Sequence, residues 1–135
     1  MVRAIMHGCN GHMGQVITGL IKNDESIEIV AGIDKYKGIE NDYPVFDSME
    51  ACTEEADVVI DFSNAAAIDA LLDSCKDKKL PVVLCTTGLS EEQLAKVKET
   101  AKETAVLKSA NMSLGINLLL KLLKEATACL LYTSD

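Results

Sequence analysis

Val2-Arg3-Ala4-Ile5-Met6-His7-Gly8-Cys9-Asn10-Gly11-His12-Met13-Gly14 is the stretch on which the fold of this chain turns. Its first five residues read as a strand, and three glycines then follow at G-x-x-G-x-x-G spacing. Directly after, Gly11 to Asn23 sets Met13, Val16, Ile17, Leu20 and Ile21 at helical spacing, so the glycines sit between a strand and a helix. That is the context in which a Gly-rich turn holds a dinucleotide. Glycine tolerates positive φ at the tight turn, lets backbone N–H groups approach a pyrophosphate, and allows the helix to pack closely on the strand. The same glycines would also serve a bare βα turn, and the G-x-x-G-x-x-G spacing is a variant of the usual G-x-G-x-x-G.

Working outward, short apolar runs alternate with helix-period segments. Val2 to Met6, Ile27 to Ile33, Val58 to Phe62, Pro81 to Leu84 and Ala105 to Leu107 are strand candidates, and such alternation implies βαβ units. Val58-Val59-Ile60 and Val82-Val83-Leu84 are apolar throughout, as strands covered on both faces should be. Ala65 to Cys75 reads as a second helix, with Ile68, Leu71 and Leu72 facing the sheet. Ser90-Glu91-Glu92-Gln93 is a capping box that opens a third helix running to about Glu103. Asp34 to Asp47 is the one long loop, and Ser48 to Glu55 reads as a short helix. The expected architecture is α/β, a Rossmann-type doubly wound parallel sheet in a single domain over residues 1–128, with strand order 3-2-1-4-5. A last helix from Leu114 or Gly115 carries Ile116, Leu118, Leu119, Leu120, Leu122 and Leu123, an apolar face too broad for one sheet contact. Residues 129–135 read as a truncated or non-native tail.

An acid at the end of the second strand strengthens the dinucleotide reading. Asp34 lies 20 residues after Gly14, where a carboxylate accepts hydrogen bonds from the adenosine ribose hydroxyls. Lys35 follows directly, and it or His12 can meet a 2′-phosphate, so both NADH and NADPH are candidates; Lys35 reads equally well as a solvated loop residue. Asp61-Phe62-Ser63-Asn64 leaves the third strand candidate and Cys85-Thr86-Thr87-Gly88 the fourth. Ligands of open α/β sheets bind outside the carboxyl ends of the strands, so both loops should face the cofactor. The plainer alternatives are that Asp61, with Ser63 or Asn64, caps the next helix and that Thr86-Thr87-Gly88 is only a turn. His7 reads as a packed or loop histidine.

Taken in order, these motifs resemble the 4-hydroxy-tetrahydrodipicolinate reductase family, also called dihydrodipicolinate reductase, of the diaminopimelate route to lysine. The resemblance rests on Gly11-His12-Met13-Gly14, Asp61-Phe62-Ser63, Thr86-Thr87-Gly88 and Asn111-Met112-Ser113-Leu114-Gly115, and covers residues 1 to about 128. It implies an oxidoreductase whose cofactor domain binds NAD(P)H. Pyrophosphate contacts would come from Gly8, Cys9, Asn10, Gly11, His12, Met13 and Gly14, and ribose contacts from Asp34. Thr86, Gly88, Asn111 and Met112 would lie on the nicotinamide side, with Thr87 bordering a small dicarboxylate substrate, and Lys35, Phe62 and Ser63 are further cofactor-binding candidates. His12 stands where the family usually has Arg or Lys, Cys85 where Gly is common, and Met112 where Phe is common, which leaves NADH-versus-NADPH preference open. The family's H-H-x-x-K and D-A-P-S-G-T-A segments, which carry its acid-base and dicarboxylate-binding groups, do not occur in this sequence. The resemblance therefore implies a cofactor domain without the catalytic, oligomerising one, and a full-length form that is a homo-oligomer. Other readings are the cofactor domain of a homoserine or aspartate dehydrogenase, against which Asn111 to Gly115 argues, and a non-catalytic NAD(P)-sensing module.

Bulk properties bound the remaining choices. At 135 residues, 48% hydrophobic and 25% charged, the chain has the make-up of one globular domain. A net charge of −8 with 4% aromatics and no Trp opposes nucleic acid, whose affinity comes from cations and stacking platforms. A dinucleotide is exempt, because a helix N-terminus and backbone N–H groups can hold its phosphates. No run approaches the roughly 20 apolar residues of a membrane span. Five dispersed cysteines without C-x-x-C spacing point to reduced thiols in a cytoplasmic setting, and no metal site is expected.

Overall fold

The computed structural model describes residues 1–108. Its elements are β1 (Val2–His7), α1 (His12–Ile21), β2 (Ile27–Ile33), β3 (Val45–Phe46), β4 (Val58–Asp61), a 3-10 turn (Ala65–Ala67), α2 (Ile68–Lys78), β5 (Val82–Leu84), α3 (Glu91–Ala101) and β6 (Val106–Lys108). All strand pairs are parallel, in the order β3-β2-β1-β4-β5-β6. The expected order 3-2-1-4-5 holds, and a sixth strand extends it. The strand in third place is Val45–Phe46, which the sequence reading left inside the long loop.

Alternation along the strands divides the core between the two faces of the sheet. Ile5, Val59, Val82 and Leu84 pack with Ile68, Leu71, Leu72 and Cys75 of α2 and Val97 of α3. Ala4, Met6, Val58, Ile60 and Val83 pack with Ile17 and Ile21 of α1 on the other. Val58, Val59 and Ile60 are at most 1% exposed, which is why β4 carries no polar residue until its last position. Burying each such side chain contributes about 1.5–3 kcal/mol.

The caps follow local chemistry. Ser90 Oγ accepts the Gln93 N–H at 3.1 Å and Gln93 Oε1 accepts the Ser90 N–H at 3.0 Å, completing the expected capping box. Gln93 Nε2 also donates to the Ala65 carbonyl at 2.6 Å, which ties α3 to the turn before α2. α2 ends on Lys79 in the left-handed region at φ +52°.

One expected element is absent. Ser48 to Glu55 forms a single turn, Met49 to Ala51, and then irregular chain. Ser48 Oγ accepts the Ala51 N–H and Met49 O the Cys52 N–H, but the Met49 and Cys52 carbonyls accept from Lys78 Nζ instead of a further helical turn. Glu50 and Glu54, four apart, would also repel along a helix. The segment Leu114 to Leu123, with its expected last helix, and the tail 129–135 lie outside the described residues, as do Asn111 and Met112.

Candidate functional site

The register brings strand ends level. His7 pairs with Ile33 of β2 and Asp61 of β4, and Asp61 with Leu84 of β5. Between β1 and β4 the sheet reverses direction of growth, and there the two crossovers diverge to opposite faces and leave a crevice. A cavity of about 490 Å³ opens at this point, within the roughly 300–1,000 Å³ range of small-molecule sites. Gly8, Gly11, Asp34, Lys35, Phe62 and Ser63 all line it. Three separated stretches of sequence thus meet where β1, β2 and β4 end.

The three glycines have different tasks. Gly8 has φ +85°, and a Cβ there would stand 2.4 Å from the Phe62 carbonyl oxygen. At Gly14 a Cβ would lie 2.2 Å from the Gly8 carbonyl oxygen, so these two residues let the turn close and α1 approach. Gly11 is different: its φ is −75°, and the one neighbour of a Cβ would be Gly8 O at an ordinary 3.5 Å. Nothing among the described residues requires glycine at position 11, whereas Gly11 lines the cavity.

Several turn N–H groups are already engaged. Those of Gly8 and Cys9 bond to Ile33 O, that of Gly11 to Gly8 O, and that of Asn10 to Asp34 Oδ2 at 3.0 Å. The first intrahelical bond runs from the Gln15 N–H to Gly11 O, so the N–H groups of His12, Met13 and Gly14 make up the anion-attracting end of α1. His12 itself is exposed at the first helical position, and Met13 is half-buried.

The side chains of Cys9 and Asn10 point away from the cavity. Cys9 is wholly buried against Gly32, where a Cβ would meet its Sγ at 2.5 Å and Tyr43 Cε1 at 2.6 Å. Burial, then the Asp34 charge, pushes its thiol up to about 11. Asn10 donates from Nδ2 to the Tyr36 carbonyl, accepts from Asn41 Nδ2 at 2.8 Å, and gives its own carbonyl to Gln15. It therefore clasps the loop after β2 to the glycine turn. Asp34 adds a second tie, its Oδ1 accepting the Tyr36 N–H at 3.0 Å. Each Asp34 oxygen thus holds one backbone N–H and keeps lone-pair capacity for a hydroxyl. Lys35 is exposed beside it.

Asp61 is 0% exposed and does not cap the helix that follows; Asn64 precedes the 3-10 turn, without a side-chain cap bond. Its carboxylate instead gathers four donors: His7 Nδ1 at 2.8 Å, the Ser63 N–H at 3.2 Å, Ser63 Oγ at 2.6 Å and Thr86 Oγ1 at 2.5 Å. The Ser63 and Thr86 hydroxyls are therefore engaged inward, and a ligand meets Ser63 mainly through the cavity wall it forms. Thr86, Thr87 and Gly88 line a separate cavity of about 190 Å³ at the end of β5. There Thr87 and Gly88 are exposed, and Gly88 turns the chain at φ +75°.

Sequence reasoning missed His7, which lines the larger cavity although only 6% exposed. It also missed Asp47, whereas Asn64, from the loop expected to face the cofactor, does share that lining. Their signal is the register: Asp61 lies 54 residues from His7, and only strand pairing makes them neighbours.

An open parallel sheet with a glycine turn, a helix N-terminus and an acid around the crevice at its reversal point defines a Rossmann-type domain. The family model described as dihydrodipicolinate reductase, N-terminus, matches residues 2–112. The chain belongs to that family. A 4-hydroxy-tetrahydrodipicolinate reductase of Clostridium novyi is 49% identical over 135 residues, 100% of this chain and 54% of the relative. That of Caldanaerobacter subterraneus subsp. tengcongensis is 51% identical over 130 residues, 96% of this chain and 51% of the relative. The chain spans about half the length of these relatives. Among solved structures, a dipicolinate-bound dihydrodipicolinate reductase from Paenisporosarcina sp. TG-14 matches with TM-score 0.73 and 26% identity, covering 90% of this chain and 52% of the other. An aspartate semialdehyde dehydrogenase with NADP from Candida albicans, at TM-score 0.59 and 18% identity, shares the fold.

Proposed function

We propose that this chain is the nicotinamide-dinucleotide-binding part of a reductase that acts on 4-hydroxy-tetrahydrodipicolinate in diaminopimelate and lysine biosynthesis. The carrying observation is the convergence of Gly11, the start of α1 and Asp34 at one cavity where β1, β2 and β4 end. The site fits the group: Gly11 leaves room at the turn, the His12, Met13 and Gly14 N–H groups supply donors for a diphosphate, and Asp34 retains acceptor capacity for ribose hydroxyls. Lys35 and His12 are the side chains assigned to a 2′-phosphate, so NADH and NADPH are both taken as ligands.

When bound, the dinucleotide supplies a hydride. The chain's own residues orient it: the glycine turn and α1 fix the diphosphate, Asp34 the adenosine ribose, and Phe62, Ser63, Thr86, Gly88, Asn111 and Met112 the nicotinamide side, with Thr87 next to the dicarboxylate substrate. We assign residues 1–128 to this domain. The proton donor and dicarboxylate clamp belong to the remaining half of the relatives' length, through which the full-length enzyme forms a homo-oligomer. A cytoplasmic setting agrees with the four free, buried cysteines among the described residues, and none of the described helices is long and apolar enough to cross a membrane.

Calorimetric titration with NADH and NADPH, alongside a reductase assay, tests this reading. Saturable binding of either nucleotide without turnover of the substrate is expected of the 135-residue chain. No binding of either would overturn the reading, and turnover at a full-length relative's rate would refute the assignment of the proton donor elsewhere.

A further inference from the structure

We propose that Asn10 is a positioning residue for the 2′-phosphate: its side chain holds Lys35 at the ribose corner, so discrimination between NADPH and NADH depends on a group that faces neither. The inference rests on the reading of the larger cavity as the dinucleotide site.

Lys35 stands between two residues that Asn10 anchors. On one side the Asn10 N–H donates to Asp34 Oδ2 at 3.0 Å. On the other, Asn10 Nδ2 donates to the Tyr36 carbonyl, and the Tyr36 N–H returns to Asp34 Oδ1 at 3.0 Å. The orientation of the Asn10 amide follows from its partners. A carbonyl only accepts, so the nitrogen faces Tyr36, and Oδ1 is left to accept from Asn41 Nδ2 at 2.8 Å. At 6% exposure, the Asn10 side chain has little water with which to replace either bond. A closed ring of hydrogen bonds therefore runs through Asn10, Asp34 and Tyr36, and Lys35 is the residue it encloses.

Lys35 is also the cation that this ring presents to the cavity. Lys37, two residues on, is committed to Asp47 at 2.9 Å, whereas Lys35 has no ion pair among the described residues. A phosphate at this corner is met by Lys35 through a charge-assisted hydrogen bond, which is only as good as the placing of the lysine.

The two ties on the turn differ in what a substitution reaches. Asp34 is held by the Asn10 backbone N–H, which alanine keeps; the Tyr36 carbonyl is held by the side chain, which alanine removes. Loss of that side chain frees the Lys35 side of the turn and leaves the Asp34 side tied. Asp34 serves the ribose hydroxyls and Lys35 the 2′-phosphate, so the loss falls on NADPH. Ordering the backbone of one residue changes an equilibrium by roughly 5- to 30-fold, which is the size of the effect expected.

Calorimetric titration of the 135-residue chain with NADPH and NADH reads the ratio of the two dissociation constants. Asn10→Ala should shift that ratio against NADPH by the stated factor. Asn41→Ala, at a residue outside the cavity lining, removes the donor to Asn10 Oδ1 and should shift it the same way by less; it decides the question if Asn10→Ala does not fold. In a Lys35→Ala background neither substitution should move the ratio, because the residue through which both act is gone. A merely structural role would weaken both nucleotides alike and would persist without Lys35. Equal losses for the two nucleotides, an unchanged ratio in the deciding variant, or a shift that survives Lys35→Ala would each overturn the role of Asn10 and leave the dinucleotide reading standing. Binding of neither nucleotide by the unmodified chain would remove both.

Discussion

Replacing Gly11 by Val should separate ligand binding from folding in a way that no other position of the turn allows. The backbone at Gly11, φ −75° and ψ 172°, is extended and open to a β-branched residue, and the nearest atom to a Cβ is 3.5 Å away. The cost to the fold is the difference between a Gly and a Val N-cap, about 1 kcal/mol or less. The cost to binding is larger, because the side chain fills the space through which the N–H groups at the start of α1 reach a diphosphate. Losing two hydrogen bonds to a charged group removes about 3–6 kcal/mol, or roughly 10²- to 10⁴-fold in Kd. Gly14→Ala should do the reverse. Its Cβ would sit 2.2 Å from Gly8 O and 2.7 Å from Cys9 O, both backbone atoms, so α1 must be pushed off β1 at an expected cost of about 1–3 kcal/mol. Urea unfolding paired with calorimetric titration of NADH reads both quantities. A stable Gly11→Val protein with unchanged affinity would refute the placement of the diphosphate on this turn.

Asp34→Ala should weaken NADH at least about tenfold, since a charge-assisted hydrogen bond contributes about 1.5–3 kcal/mol. Lys35→Ala should instead weaken NADPH more than NADH; equal losses for the two nucleotides in titrations of both variants would remove this corner from the 2′-position. Burial, aided by the Asp61 charge, lifts Cys75 and Cys85 from 9.0 to about 12. At pH 8 their thiolate fractions should therefore be about a thousandfold below that of an unperturbed thiol, and mass spectrometry should find them unalkylated by iodoacetamide while the chain is folded. The same shifts set a sign for alkaline stability. Between pH 9 and about 12 the unfolded thiols release protons that the folded ones keep, so stability falls as pH rises through that window; urea midpoints that rise there would contradict the assignment. Ser90→Ala removes one half of the capping box and should lower stability by about 1 kcal/mol in the same assay, leaving nucleotide affinity alone.

What could be read from the chain and what could not divide along the range of the interactions. The Ser90 to Gln93 box was legible because all its partners lie within four residues. Val58 to Ile60 and Val82 to Leu84 were legible because strands covered on both faces must be apolar throughout. β3 escaped notice because two residues, Val45 and Phe46, offer no period, and their pairing with Gly32 and Ile33 depends on how Tyr43 lies over Gly32. The helix expected over Ser48 to Glu55 failed for a tertiary reason: Lys78, a distant side chain, takes the carbonyls that a second turn would use. The glycine turn and Asp34 suggested a common site from spacing, and the fold brings Gly8, Gly11 and Asp34 to one cavity. Asn10 read as a phosphate contact, yet its side chain is spent on Tyr36 and Asn41, and nothing local could say so.

The four donors on Asp61 bear on how this domain breathes. Ser63 shares its amide hydrogen between Asp61 Oδ1 at 3.2 Å and Thr86 Oγ1 at 3.1 Å, while the Cys85 amide donates to the Asp61 carbonyl and the Phe62 amide to that of His7. To expose any of these amides to solvent exchange, the loops after β4 and β5 must part from β1 together, abandoning a carboxylate that has no water to fall back on. Deuterium should therefore enter the amides of Phe62, Ser63 and Cys85 with one common, slow rate, against fast uptake in the Tyr36 to Asn41 loop. A single opening event of that kind means that the rim of the crevice is either wholly assembled or wholly lost, with no intermediate width between the two.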